Sequence, residues 1–185
     1  MTNPVSGTYS VKKWVKVGIF YRNKQNDACK WWMMFRGVNQ VNLDSKGRVA
    51  IPTRYREELR SIADSHMVVT VNNTNDRCLW IYTLPEWEKI EEKVTALPSM
   101  NKQAARLKRF FIGQATDVDV DASGRLLIPP PLREFAQLKK HIVLAGQGNK
   151  FELWDEDNWT AQRDEWMEDG LGEGPMLVEL ESLSL

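Results

Sequence analysis

Five charged side chains have the types and spacing to do recognition chemistry: Asp44, Lys46, Arg48, Asp121 and Arg125. They sit in Asp44-Ser45-Lys46-Gly47-Arg48 and Asp121-Ala122-Ser123-Gly124-Arg125. An arginine guanidinium can bind guanine O6 and N7 through two parallel hydrogen bonds, and a lysine can contact phosphate or guanine. The same arginine can instead clamp the aspartate four residues before it and only fix a turn. The residues alone leave both readings open.

Catalysis finds less support. The sequence has no Gly-x-Ser-x-Gly, P-loop, His-Glu-x-x-His or Cys-x-x-Cys. Asp44 and Asp121 could form a carboxylate pair, but each has its own loop glycine and arginine. A turn-forming role for Asp44, Gly47, Asp121 and Gly124 is the stronger reading. His66 and His141 fall at equivalent strand starts and read as edge histidines rather than metal ligands. The chain is therefore expected to be no enzyme, with no metal and no cofactor. The default role for Trp80, Trp87, Trp154 and Trp159 is packing.

The elements that position these loops repeat. Asp44 to Pro52 recurs 77 positions later as Asp121 to Pro129, with Asp, Gly, Arg, Ile and Pro in place. Such a repeat constrains the architecture before anything else. In each copy, apolar β-rich runs flank the Gly-containing loop, which predicts a hairpin. The first spans Val38 to Ile51 and the second Val118 to Ile128. Pro52 and Pro129 end the second strands. Thr53 is expected to cap a helix running to Ala63, where Tyr55, Leu59 and Ile62 form one apolar stripe. Strands follow at Met67–Val71 and Leu79–Tyr82. Thr83-Leu84-Pro85-Glu86 has capping-box spacing and opens a helix to about Ala96, with Trp87, Ile90 and Val94 inward.

A linker at Leu97-Pro98-Ser99 precedes a basic helix from Asn101 to Ile112, stopped by Gly113. Its Lys102/Arg106/Arg109 stripe reads as a solvated face. The second copy then predicts a helix from Pro131 to Leu138, with Pro131 in its first turn. Strands follow at Ile142–Ala145 and Phe151–Trp154, then a helix from Asp155. The tail from Gly170 is expected to be poorly ordered.

The 185 residues have a formal net charge of +0, unevenly distributed. Residues 1–33 carry six Lys/Arg against one Asp, and residues 155–185 carry one Arg against ten Asp/Glu. A mildly basic middle is compatible with a polyanion partner. No long apolar run predicts a membrane span, and the N-terminus lacks a signal-peptide pattern. Two unpaired cysteines, Cys29 and Cys78, fit a reducing cytoplasm.

Met34-Phe35-Arg36-Gly37, Asn42 to Arg48, Leu84-Pro85-Glu86-Trp87-Glu88, Gly124 to Ile128 and Asn149 to Trp154 together resemble the bacterial MraZ family. The resemblance runs from Met34 to the C-terminus, and the pair of Asp-x-x-x-Arg hairpins is that family's signature. It implies an α+β fold of two pseudo-symmetric SpoVT-AbrB units, swapped-hairpin β-barrels with flanking helices. The units are expected at 38–85 and 114–157, with linking helices at 86–113 and a helix plus acidic tail at 158–185. It also implies a repressor of the division and cell-wall gene cluster that begins with its own gene. That repressor is a ring-like homo-oligomer in the cytoplasm, associated with the nucleoid. Its partner is double-stranded DNA of its own promoter at tandem TGGG-type boxes, with no membrane and no small-molecule substrate. The DNA contacts carried over are Lys46, Arg48 and Arg125. An antitoxin-like or scaffold module on the same fold is the alternative, because fold does not settle function.

The sequence departs from the family at residues 1–33, since the family normally starts at Met34. These residues are expected to be upstream DNA read in frame. Trp14-Val15 forces the codon run TGGGT, and Val17-Gly18 permits a second box ten nucleotides on. That spacing is about one DNA turn. The other reading is a basic N-terminal arm that helps to hold DNA.

Overall fold

The computed structural model describes residues 34–72 and 76–169. The expectations placed on residues 1–33 and on the tail from Gly170 lie outside them. The first copy contributes β1 (Phe35–Asn42), β2 (Arg48–Ala50), α1 (Thr53–Ala63), β3 (His66–Val71) and β4 (Cys78–Thr83). Then come α2 (Leu84–Thr95), α3 (Lys102–Leu107) and a π-helical turn at Lys108–Ile112. The second copy supplies β5 (Thr116–Asp119), β6 (Arg125–Leu127), α4 (Pro130–Phe135), β7 (His141–Gly148), β8 (Lys150–Asp155) and α5 (Glu156–Asp169).

Among the described residues the strands form a six-stranded antiparallel sheet, β1-β7-β8-β4-β3-β5, and a two-stranded ribbon, β2-β6. The chain is thus α+β, but its sheet is not a closed barrel as the resemblance implied. Only single bridges, Leu43↔Val49 and Val120↔Leu126, tie the ribbon to the two edge strands. Each predicted hairpin is therefore closed at its tip alone. β1 of the first copy runs along β7 of the second, from Phe35↔Gly148 to Asn42↔His141. β5 of the second copy runs along β3 of the first. A lone two-stranded hairpin is marginal in water, and pairing across the copies places all these strands around one core.

Strand alternation divides that core. Met67, Val69, Val71, Leu79 and Ile81 face one cluster with Val49, Ile51, Leu126 and Ile128 of the ribbon and Tyr55, Leu59 and Leu132 of the helices. Phe35, Tyr55 and Phe151 meet there, with ring centroids 4.1–5.9 Å apart. The opposite face packs Val68 and Tyr82 on Trp87 of α2 and Phe111 of the π turn. The packing role expected of the tryptophans holds: Trp87 and Trp154 are buried, and Trp80 and Trp159 pack against the clusters.

Helix starts differ from expectation. Pro52 rather than Thr53 occupies the α1 N-cap, and no side chain bonds there. Thr83 is the N-cap of α2 as expected, but its side chain makes no cap bond. It is also the last residue of β4, paired with Met67 and buried, while Glu86 pairs with Lys89. The basic helix begins as α3 and then widens into the π turn. That turn leaves the Phe111 carbonyl to accept a hydrogen bond from the buried Thr70 hydroxyl at 2.6 Å. Lys102, Arg106 and Arg109 are exposed, as a solvated face requires. α4 ends at Phe135, three residues short of expectation, where Gln137 turns to φ 54°.

Candidate nucleic-acid interface

Both loops are built the same way. Asp44 Oδ1 accepts from the backbone N–H groups of Lys46 and Arg48, each at 2.9 Å. Its Oδ2 accepts from Arg48 Nε at 2.8 Å and Nη2 at 2.7 Å. Asp121 repeats this with the N–H groups of Ser123 and Arg125 at 2.8 and 2.9 Å, and with Arg125 Nε and Nη2 at 3.0 Å. Backbone bonds from Gly47 to Asp44 and from Gly124 to Asp121 close the turns. The glycines take φ of 80° and 75°, a conformation side chains with a Cβ resist.

These bonds set the electrostatics of the loops. Hydrogen bonds from the Arg48 backbone and side chain, in that order, hold the Asp44 carboxyl down at about 2. The Arg125 backbone N–H, aided by its side chain, lowers Asp121 in the same direction. Both aspartates are therefore ionised throughout the neutral range, and both arginines are held by a carboxylate.

The two loops are locked to each other. Ile51 donates its N–H to the Gly124 carbonyl and Ile128 donates to the Gly47 carbonyl, each at 2.9 Å. Between them β2 and β6 pair antiparallel: Arg48↔Leu127, Val49↔Leu126, Ala50↔Arg125. Val49 and Leu126 point into the core, while Ala50 and Leu127 are exposed. By alternation Arg48 and Arg125 share the outward face with Ala50 and Leu127. Lys46 is exposed at the tip beside Arg48, and Ser123 takes its place in the second loop. Arg48 and Arg125, 77 positions apart in sequence, thus belong to one two-stranded ribbon, and Lys46 sits in the turn that leads into it.

Two further arginines stand here that loop reasoning alone does not find. Arg56 on α1 lies over Gly124, and Arg133 on α4 lies over Gly47, each reaching the other copy's loop. The signal was present, because the two are separated by the same 77 positions as the loops. Arg56 Nε also donates to the Ile51 carbonyl at 2.7 Å.

The histidines stand apart from this face. His66 Nδ1 lies 2.6 Å from Asp119 Oδ1 across β3 and β5, and His141 opens β7 opposite Asn42. Among the described residues no three His, Cys, Asp or Glu side chains gather as a metal site would require. Among the described residues no helix is long and apolar enough to cross a membrane.

A family model described as "MraZ protein, putative antitoxin-like" matches the chain twice, over residues 34–110 and 111–174. A relative from Halorhodospira halophila, named Transcriptional regulator MraZ, is 54% identical over 153 residues, covering 82% of this chain and 100% of the relative. A relative of the same name from Coxiella burnetii (strain RSA 493 / Nine Mile phase I) is 52% identical over 153 residues, with the same coverage. One from Pseudomonas putida, again so named, is 54% identical over 128 residues, covering 69% of this chain and 84% of the relative.

Proposed function

This chain belongs to the MraZ family, and on that premise we propose that it is a sequence-specific DNA-binding transcriptional repressor. The observation that carries the reading is the β2–β6 ribbon, with Arg48 and Arg125 on its outward face. A two-stranded ribbon fits the major groove of B-DNA, about 12 Å wide, where guanine edges accept from arginine. Diagonal neighbours on such a ribbon lie about 7–8 Å apart, so both guanidinium groups reach the same groove. Lys46 extends the first tip toward phosphate or guanine. The relatives' printed name, Transcriptional regulator MraZ, supports the same reading.

The finer form of the proposal concerns the target and the assembly. The target is the chain's own promoter, with tandem TGGG-type boxes, ahead of the division and cell-wall cluster. Several subunits, arranged as a ring at the nucleoid, each place one ribbon on one box. The Asp–Arg clamp serves this function by fixing the arginine at the loop exit before DNA arrives, which limits the ordering cost of binding.

The test is binding of the full chain to its own upstream duplex against a scrambled competitor. Specific binding that Arg48→Ala abolishes while the fold survives supports the proposal. A folded chain that ignores its upstream DNA supports the antitoxin-like or scaffold alternative instead.

A further inference from the structure

Arg48 and Arg125 direct their charge to Asp44 and Asp121. Arg56 and Arg133 do not: among the described residues neither takes part in an ion pair. Each is half-buried against the backbone of the other copy's loop. A Cβ built on Gly47 would lie 2.7 Å from Cζ of Arg133, and one built on Gly124 would overlap the Arg56 guanidinium. The positive φ calls for glycine in both loops, and its missing Cβ leaves the space that the arginine above occupies.

The copies differ in one respect. Arg56 Nε is satisfied by the Ile51 carbonyl, whereas Arg133 Nε is buried with no acceptor among the described residues. Arg133 also lines a cleft of about 410 Å³ with Pro130, Glu134, Gln137 and Leu138. A guanidinium held in place without a carboxylate suits a phosphate oxygen pair, which its planar fork matches.

We propose that Arg56 and Arg133 are DNA-backbone contacts. Each sits beside the recognition loop of the opposite copy and grips a phosphate next to the base that loop reads. The inference rests on the DNA-binding reading above. It makes each tip composite: Lys46 and Arg48 of the first copy act with Arg133 of the second, and Arg125 acts with Arg56. Exchange of strands between the copies is what brings each helix arginine to the foreign loop.

Phosphate contacts and base contacts leave different traces. A phosphate contact contributes to the salt dependence of binding on any sequence, with a slope of about 0.9 per neutralised phosphate. The experiment measures binding at several salt concentrations for the full chain and for Arg56→Gln and Arg133→Gln. The probes are a duplex of the chain's own upstream and 5′ coding sequence and a scrambled duplex of equal length. Each variant is expected to lower the slope by about 0.9 per engaged subunit on both duplexes, with the ratio of specific to non-specific affinity unchanged. Arg56→Lys and Arg133→Lys are expected to restore the slope. Arg→Met, which keeps the apolar stem, replaces any Gln variant that does not fold. Unchanged slopes with a lowered melting temperature would make the arginines mere wedges and overturn the proposal. An unchanged slope with a collapsed specificity ratio overturns it as well. Failure of the wild-type chain to bind either duplex overturns the DNA-binding reading itself, whereas wild-type binding with unchanged variant slopes overturns only this inference.

Discussion

Arg48 donates both Nε and Nη2 to a single oxygen of Asp44, at 2.8 and 2.7 Å. The guanidinium is thereby fixed at the loop exit with its remaining nitrogen uncommitted to that carboxylate. Arg125 and Asp121 repeat the arrangement at 3.0 Å. Clamping and recognition are therefore compatible, since the bonds that fix the turn also orient the arginine.

Arg48→Ala is expected to lose about 1–3 kcal/mol of specific affinity per engaged subunit, the amount of a base contact. Arg125→Ala is expected to lose less, because Ser123 stands where the first loop has Lys46. Competition binding against scrambled DNA checks both, and an Arg48→Ala protein with wild-type operator affinity refutes the assignment.

One ribbon makes few contacts, so strong binding must come from several subunits on repeated boxes. A duplex with one box should bind weakly and one with tandem boxes strongly, with steep dependence on salt. Mobility-shift titrations on the two duplexes decide this. Equal affinities, or a monomer in solution, speak against it.

The DNA encoding Lys13 to Gly18 is expected to belong to the operator, because Trp14-Val15 requires the codon run TGGGT. Footprinting with protein begun at Met34 tests the point. Protection elsewhere, with these codons left bare, sinks it, and N-terminal sequencing of the native protein checks the start independently.

Asp44 is held at about 2, below the ordinary carboxylate value of about 3.9. The stabilisation it provides is complete above that ordinary value and is lost as pH falls through about 2. Asp121 is shifted in the same direction. The first loop should therefore stay clamped at neutral and mildly acidic pH and loosen between about pH 4 and 2, and the second loop should likewise be clamped at neutral pH. Carboxyl titration by NMR gives the answer, and an Asp44 that titrates at the ordinary value removes the clamp from solution.

Glu152 is buried and accepts from Trp80 Nε1 at 2.9 Å and Trp154 Nε1 at 3.1 Å, with Lys150 Nζ 3.6 Å away. Glu152→Ala leaves both indole N–H groups without their acceptor and should cost about 1–3 kcal/mol for each group left unsatisfied. Glu152→Gln should cost less, since one acceptor oxygen remains. Thermal melts measure the difference. DNA affinity per folded molecule should not change, because this network lies away from the ribbon.

Much of this fold was legible locally. Tyr55, Leu59 and Ile62 at helical spacing mark α1, which runs from Thr53 to Ala63 as expected. The strands around Val69 and Ile81 were legible from their β-branched and aromatic runs. Caps were less legible, because a Thr before a helix need not use its hydroxyl. Thr83 ends a paired strand and is buried, so backbone pairing takes precedence there.

The sequence by itself determined the repeat, the Asp-x-x-Gly-Arg turns and the family. Each depends on residues within a few positions of one another, or on identical residues at one fixed shift. Which strand lies beside which was a matter for the tertiary structure. β1 runs along β7 and β2 along β6, pairings across about a hundred and about eighty positions. Hydrophobic alternation says that a strand needs a neighbour and a buried face, but not which of several similar strands supplies them. The nearness of Arg56 to Gly124 and of Arg133 to Gly47 follows from that choice alone. Only the packed chain brings each helix of one copy to the loop of the other.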